Sequence, residues 1–96
     1  GGRKPEDGRI HWQQTAQQVY NLIRAVAPPY PGAFTDIQTT SGIQRITVNA
    51  ARPLDTSFEL KPGIYRIDSK VIGVCGDKMA VELTDFTPTT FDPTTL

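Results

Sequence analysis

The chain has 96 residues, with 10 Lys plus Arg against 10 Asp plus Glu and a formal net charge of zero. That length, with 38% hydrophobic residues, fits one small domain with a modest core, and the charge balance excludes the overall positive field of a dedicated RNA-binding module. No apolar run approaches membrane-spanning length and no charged-then-apolar leader opens the chain, so a soluble cytoplasmic protein without a membrane partner is expected.

Gly1 to Ile10 is polar and charge-dense, with Pro5 and Gly8 as breakers, and reads as an irregular arm. Thr15 to Ala27 is the one clear helix. Thr15 and Gln18 have the spacing of a capping box, and Ala16, Val19, Leu22, Ile23 and Val26 form an apolar stripe. Pro28 ends it, because the residue before a proline resists the helical region and proline carries no amide hydrogen. Pro28, Pro29 and Pro31 then make a rigid corner, and Gly32 permits a close turn into Ala33.

From Ala33 onward the pattern alternates. Ala33–Ile37, Ile43–Ala51, Gly63–Ile67, Val71–Cys75 and Met79–Leu83 read as short strands rich in branched and aromatic residues. Gly76-Asp77-Lys78 reads as a tight hairpin turn in which the glycine takes the positive backbone angle. Five short strands with one helix predict a mainly β fold, a small open antiparallel barrel that hides its edges by curling. The Thr- and Pro-rich end is expected to be a strand end followed by a tail that is partly ordered at most. The chain thus divides into an arm at 1–14, a barrel at 15–86 and a tail at 87–96.

No catalytic constellation emerges. His11 is the only histidine, and no serine stands in a nucleophile-elbow context. Cys75 is the only cysteine, so it makes no internal disulfide, in keeping with a reducing compartment. It has no second cysteine or positioned histidine for metal binding or thiolate activation, and the structural reading of it is preferred. Trp12 is expected to pack against the start of the helix rather than to stack a base or sugar. Glu6-Asp7 lies near Arg3, Lys4 and Arg9 in the sequence and is read as solvated, mutually neutralising charge.

Lys4-Pro5-Glu6-Asp7-Gly8-Arg9-Ile10-His11-Trp12, then Asn21-Leu22-Ile23-Arg24-Ala25, then Pro31-Gly32-Ala33-Phe34 closely resembles the carboxy-terminal domain of folate-dependent formyltransferases. Lys61-Pro62-Gly63, Val74-Cys75-Gly76-Asp77 and Val81-Glu82-Leu83 look like the turn, hairpin and final strand that complete it, so the resemblance spans roughly Gly2 to Leu83. It implies a barrel of the oligonucleotide-binding type behind a Rossmann-like catalytic domain, which uses 10-formyltetrahydrofolate to formylate an amine. The family's catalytic asparagine, histidine and aspartate sit in that preceding domain. Its His-Pro-Ser motif does not occur here, and His11 does not match it. Gly1 is therefore expected to mark a cut at a domain boundary or an added residue, and this chain alone should bind no cofactor and catalyse no transfer.

The resemblance also puts the arm near the catalytic cleft, where Arg3 and Lys4 would meet substrate phosphate or carboxylate or join the two domains. Arg3, Lys4, Glu6, Asp7 and Tyr30 are the candidates for substrate or interdomain contact; no metal ligand is expected. One branch of the family acts on methionyl initiator tRNA and another on sugar nucleotides such as UDP-4-amino-4-deoxy-L-arabinose. Up to Tyr30 the charges are Arg3, Lys4, Arg9 and Arg24 against Glu6 and Asp7, whereas from Asp77 onward Lys78 faces Asp77, Glu82, Asp85 and Asp92. That end would repel a phosphate backbone, and Ala25 to Phe34 looks more like the sugar-nucleotide branch. An amino-sugar nucleotide is therefore the preferred acceptor, with initiator tRNA, or a purely scaffolding module, as alternatives. Stand-alone RNA binding is disfavoured: Arg45, Arg52 and Arg66 lie on expected strands or their ends, with Tyr65 the only nearby aromatic.

Overall fold

In the computed structural model, described for residues 5–90, the helix begins where the capping box requires. The Gln18 backbone N–H donates to Thr15 Oγ1 at 3.1 Å, and Gln18 Oε1 accepts from the Thr15 N–H at 3.0 Å. Helix α1 then runs Ala16–Ala25. Ala16, Val19 and Ile23 are buried, together with Val26 just beyond. The helix is shorter at its end than the expected limit of Ala27: Val26 sits at the C-cap with φ −112° and ψ 15°, its N–H donating to the Leu22 and Arg24 carbonyls. With Pro28 ahead, Ala27 has no helical continuation.

Five strands follow: β1 Ala33–Thr39, β2 Gly42–Pro53, β3 Gly63–Ile67, β4 Lys70–Val74 and β5 Ala80–Thr87. They form one sheet in the order β1-β2-β5-β4-β3, with every neighbour antiparallel. This is the mainly β fold with one helix, curled into an open barrel, that the alternation predicted. β1 and β3 are its two edges and share no ladder. Register shifts between Val48 and Ala50 and between Ala50 and Ala51 bend β2 against β5, as bulges do by raising the local twist. The concave face closes on α1: Val19, Ile46, Val48 and Val81 are at 0% exposure. Strand alternation turns Ile72 and Val74 the other way, into a smaller cluster with Ala80, Leu54 and Phe58.

Several expectations are corrected. Pro5–Gly8 is one turn of 3-10 helix rather than irregular. The segment after it lies on the edge of β1: Arg9 forms a parallel bridge to Phe34, and the Ile10 N–H donates to the Phe34 carbonyl at 2.8 Å. Ile10 and Trp12 are core residues. Burying them requires the chain to run flat on the sheet, and Gly8 allows it, since a Cβ there would lie 2.7 Å from the Gly32 oxygen. β5 continues past Leu83 because Asp85, Phe86 and Thr87 still find partners in Ala50, Val48 and Thr47. It also starts at Ala80 rather than Met79, and β4 stops at Val74, so Cys75 and Met79 close the hairpin instead, the Cys75 N–H donating to the Met79 carbonyl at 2.8 Å. Within that turn the positive φ, 68°, belongs to Lys78 and not to Gly76. Gly76 serves a different need, for its Cβ would fall 1.9 Å from the Gln13 carbonyl oxygen. Residues 91–96, most of the expected tail, lie outside the described residues.

Candidate functional site

A groove of about 500 Å³ runs between the arm and α1. The arm contributes Glu6, Asp7, Arg9 and His11; Gln14, Gln18, Asn21 and Leu22 form the opposite wall. Gln18, Asn21 and Leu22 come from successive turns of α1, so their spacing puts them on one side of the helix. Seven of its eight lining residues are polar or charged, and Leu22 is the one aliphatic among them. Part of its hydrogen-bonding capacity is already engaged: Gln18 Oε1 serves the capping box, and Asn21 Oδ1 accepts from Gln17 Nε2 at 2.9 Å.

A smaller cavity of about 200 Å³ lies where the two sheet edges approach, lined by Trp12, by Thr35 to Gln38 of β1 and by Gly63 and Ile64 of β3. The Trp12 indole forms its inner wall and donates from Nε1 to Thr35 Oγ1 at 3.0 Å. That hydrogen bond satisfies the polar edge of a ring otherwise buried among aliphatics; Trp12 shares the core cluster with Ala16 at the helix start, and its indole lies against Thr35 of β1 and Gly73 of β4.

A chain of alternating charges links the groove to the sheet. Arg9 pairs with Glu6 from the 3-10 turn and, through Nη1, with Asp36 Oδ2 at 3.2 Å. Arg45 of β2 stands directly opposite Asp36 in the ladder and holds it through Nε at 2.8 Å and Nη2 at 3.1 Å. Both guanidiniums lie over the Phe34 ring, Arg9 at 4.8 Å and Arg45 at 4.1 Å from its centroid. Phe34 points outward from the barrel yet is buried, covered by these two cations. The hydrogen bonds from Arg45, with Arg9 adding to them, pull the Asp36 carboxyl down to about 2. The Arg9 hydrogen bond lowers Glu6 in the same direction, while Asp36 raises Arg45 and Glu6 raises Arg9.

Among the described residues, no group of three or more His, Cys, Asp or Glu side chains is placed to hold a metal ion. Burial, with the Asp77 charge adding to it, pushes the Cys75 thiol up to about 12, so it stays protonated near neutral pH.

A family model described as the formyl transferase C-terminal domain matches residues 3–92. The chain belongs to that family. In this formyl transferase C-terminal domain, Glu6 and Asp7 are brought together in the groove. Tyr30 is 58% exposed in the corner between α1 and β1 and lines neither cavity. Arg3 and Lys4 lie outside the described residues. Sequence reasoning did not single out the opposite wall of the groove or the Arg9–Asp36–Arg45 chain. The signal for the wall was the run of amides on the polar side of the helix. For the charge chain there was none before the β1–β2 register was known.

Proposed function

We propose that this chain is the accessory domain of an enzyme that transfers the formyl group of 10-formyltetrahydrofolate to the amine of a sugar nucleotide. Family membership supports the transferase half of this reading. On it, a Rossmann-like catalytic domain precedes the arm and carries the folate and the reacting groups, while this domain holds the acceptor or its partner domain in place. The groove beside the arm, with Glu6 and Asp7 on one wall and Gln14, Gln18 and Asn21 on the other, suits a hydroxyl-rich ligand or a polar loop. Arg3, Lys4 and Tyr30 remain candidates for contact with the acceptor or with the preceding domain.

The observation that favours a small acceptor over tRNA is the pairing of Arg45 and Arg52 on β2 and of Lys78 in the β4–β5 turn. Arg45 is bound to Asp36, Arg52 to Glu82 at 2.7 Å, and Lys78 to Glu59 at 2.9 Å. An RNA backbone gains affinity by replacing its counterions with protein cations, and cations already matched by carboxylates have less to offer it. The test is a transfer assay from 10-formyltetrahydrofolate with the full-length enzyme beside this chain, offering a UDP-amino-sugar and methionyl-tRNA in parallel. Formylation of the sugar alone by the full-length enzyme, with this chain inert, is the expected result; transfer to tRNA alone would refute the choice of acceptor.

A further inference from the structure

We infer that Arg9 and Asp36 are positioning residues, a clamp that fixes the arm along β1 and so sets the direction in which the preceding domain is held. The inference rests on the reading that a catalytic domain precedes the arm, and it extends that reading to the joint between them.

The clamp has a backbone part and a charged part. The backbone part is short: the Arg9 bridge to Phe34 and the single Ile10 N–H bond to the Phe34 carbonyl. Ile10 and Trp12 anchor the chain beyond it in the core, but the backbone ahead of Ile10 has few bonds to the sheet, and so short an end frays readily. The charged part sits directly over it. Arg9 is gripped by Glu6 behind, by Asp36 in front and by the Phe34 ring beneath. Glu6 belongs to the 3-10 turn, so the same guanidinium ties the turn, the arm and the strand into one body. Asp36 cannot swing away to solvent, since Arg45 holds both of its oxygens from the neighbouring strand. Isolated exposed pairs contribute little because two long side chains must be frozen for one contact. Here each side chain is frozen once and serves several contacts. Gly8, seated against the Gly32 carbonyl, lets the turn lie close enough for Arg9 to reach.

A flexible connection would leave the spacing and angle between domains to chain statistics, whereas a clamped one keeps the two halves of an acceptor site in register. The clamp therefore bears on acceptor binding more than on chemistry.

Two variants separate this role from general stability. Arg9→Met keeps an apolar stem over Phe34 and removes the charge; Asp36→Asn removes it from the strand side. By hydrogen exchange on this chain, the Ile10 amide should exchange about tenfold faster in both, while amides of β2 and β5 keep their rates. In the full-length enzyme, a spin label at Thr84 on β5 paired with one in the catalytic domain should report a broadened distance distribution. The acceptor KM should then rise several-fold more than kcat falls, with the folate KM unmoved. Arg9→Lys, which keeps a charge, should recover part of each effect. An Ile10 rate that is unchanged, or that rises in step with β2 and β5, would overturn the clamp. An unchanged distance distribution despite faster Ile10 exchange would overturn its positioning role. Neither exchange nor distance depends on which amine is formylated, so a failure of the sugar-nucleotide reading leaves this test intact.

Discussion

Gly73 lies directly against the Trp12 indole, and the contact makes a quantitative prediction. A Cβ at Gly73 would lie 2.2 Å from Trp12 Cζ3 and 2.4 Å from Cη2, whereas carbons in contact settle at about 3.5–4.0 Å. The indole would have to retreat by more than 1 Å, on the order of the difference between those separations. It has no easy way out: Trp12 is 8% exposed and its Nε1 is tied to Thr35. Gly73 has no positive φ, so alanine meets no backbone penalty and the cost is all overpacking. Gly73→Ala should therefore destabilise by about 3 kcal/mol, the upper end for an added core methyl, lowering Tm by about 15 °C in a domain of this size. Trp12→Phe removes both offending carbons. Alone it should cost about 2–3 kcal/mol through lost burial and an unpaired Thr35 hydroxyl. In that background Gly73→Ala should cost under about 1 kcal/mol, a coupling of roughly 2 kcal/mol between the sites. Urea unfolding of the four proteins, with m-values compared, measures the cycle. Costs that add within about 0.5 kcal/mol would refute the steric argument.

Thr15→Ala breaks the capping box and should cost about 1 kcal/mol, or about 5 °C in Tm, with faster amide exchange confined to the first turn of α1. Asp36 gains its guanidinium partners only on folding, so its folded pKa lies below the ordinary value of 3.8. Its contribution is complete above that value and is lost as pH falls through about 2; Asp36→Asn should flatten that stretch of the acid-stability curve, and an NMR-titrated carboxylate near 3.8 would show that the pairs do not persist in solution. With a thiol pushed up to about 12 by burial, Cys75 should resist a thiol-specific chromogenic disulfide in the native protein and react on unfolding; fast native labelling would contradict its burial. Gly32→Ala should cost about 1–3 kcal/mol by denaturant unfolding, because φ is +97° and the new Cβ would meet Thr47 Cγ2 at 3.0 Å.

What was legible in the sequence was what short stretches of chain decide. The Thr15–Gln18 box, the apolar stripe of α1 and the alternation of the strands depend on neighbours within a turn or a pleat, and they survived folding with boundaries shifted by a few residues. The arm was misread because its partner, Phe34, is remote in sequence and its pattern is neither helical nor alternating. Gly76 was read as a turn glycine, but the reason for it lies in Gln13, on the far side of the chain. Asp77 is similar: its Oδ1 accepts from the Ala16 N–H at 3.3 Å across a separation of 61 residues, so the last hairpin caps the first helix. Such a contact exists only once β4 and β5 have been placed beside α1.

The same dependence on register changes what the charges mean. Counted along the sequence, Arg45 and Arg52 are strand cations available to an anionic ligand. The ladder sets Arg45 opposite Asp36 and Arg52 opposite Glu82, and cross-strand neighbours of opposite sign bind each other. Each arginine then meets a potential ligand as half of a dipole, and a polyanion must compete with a carboxylate for it. On the proposed reading, a sugar nucleotide carries only a diphosphate's worth of charge, which a few cations elsewhere in a full-length enzyme would satisfy, whereas a tRNA would need a surface of them. On that reading the same pairing also builds the joint at the arm, because Asp36 accepts from Arg45 with both carboxylate oxygens and from Arg9 with Oδ2. Arg9, Arg45 and Arg52 are thus engaged in holding the chain to itself, and in the groove beside the arm the already paired Arg9 is joined by amides, a histidine, carboxylates and Leu22.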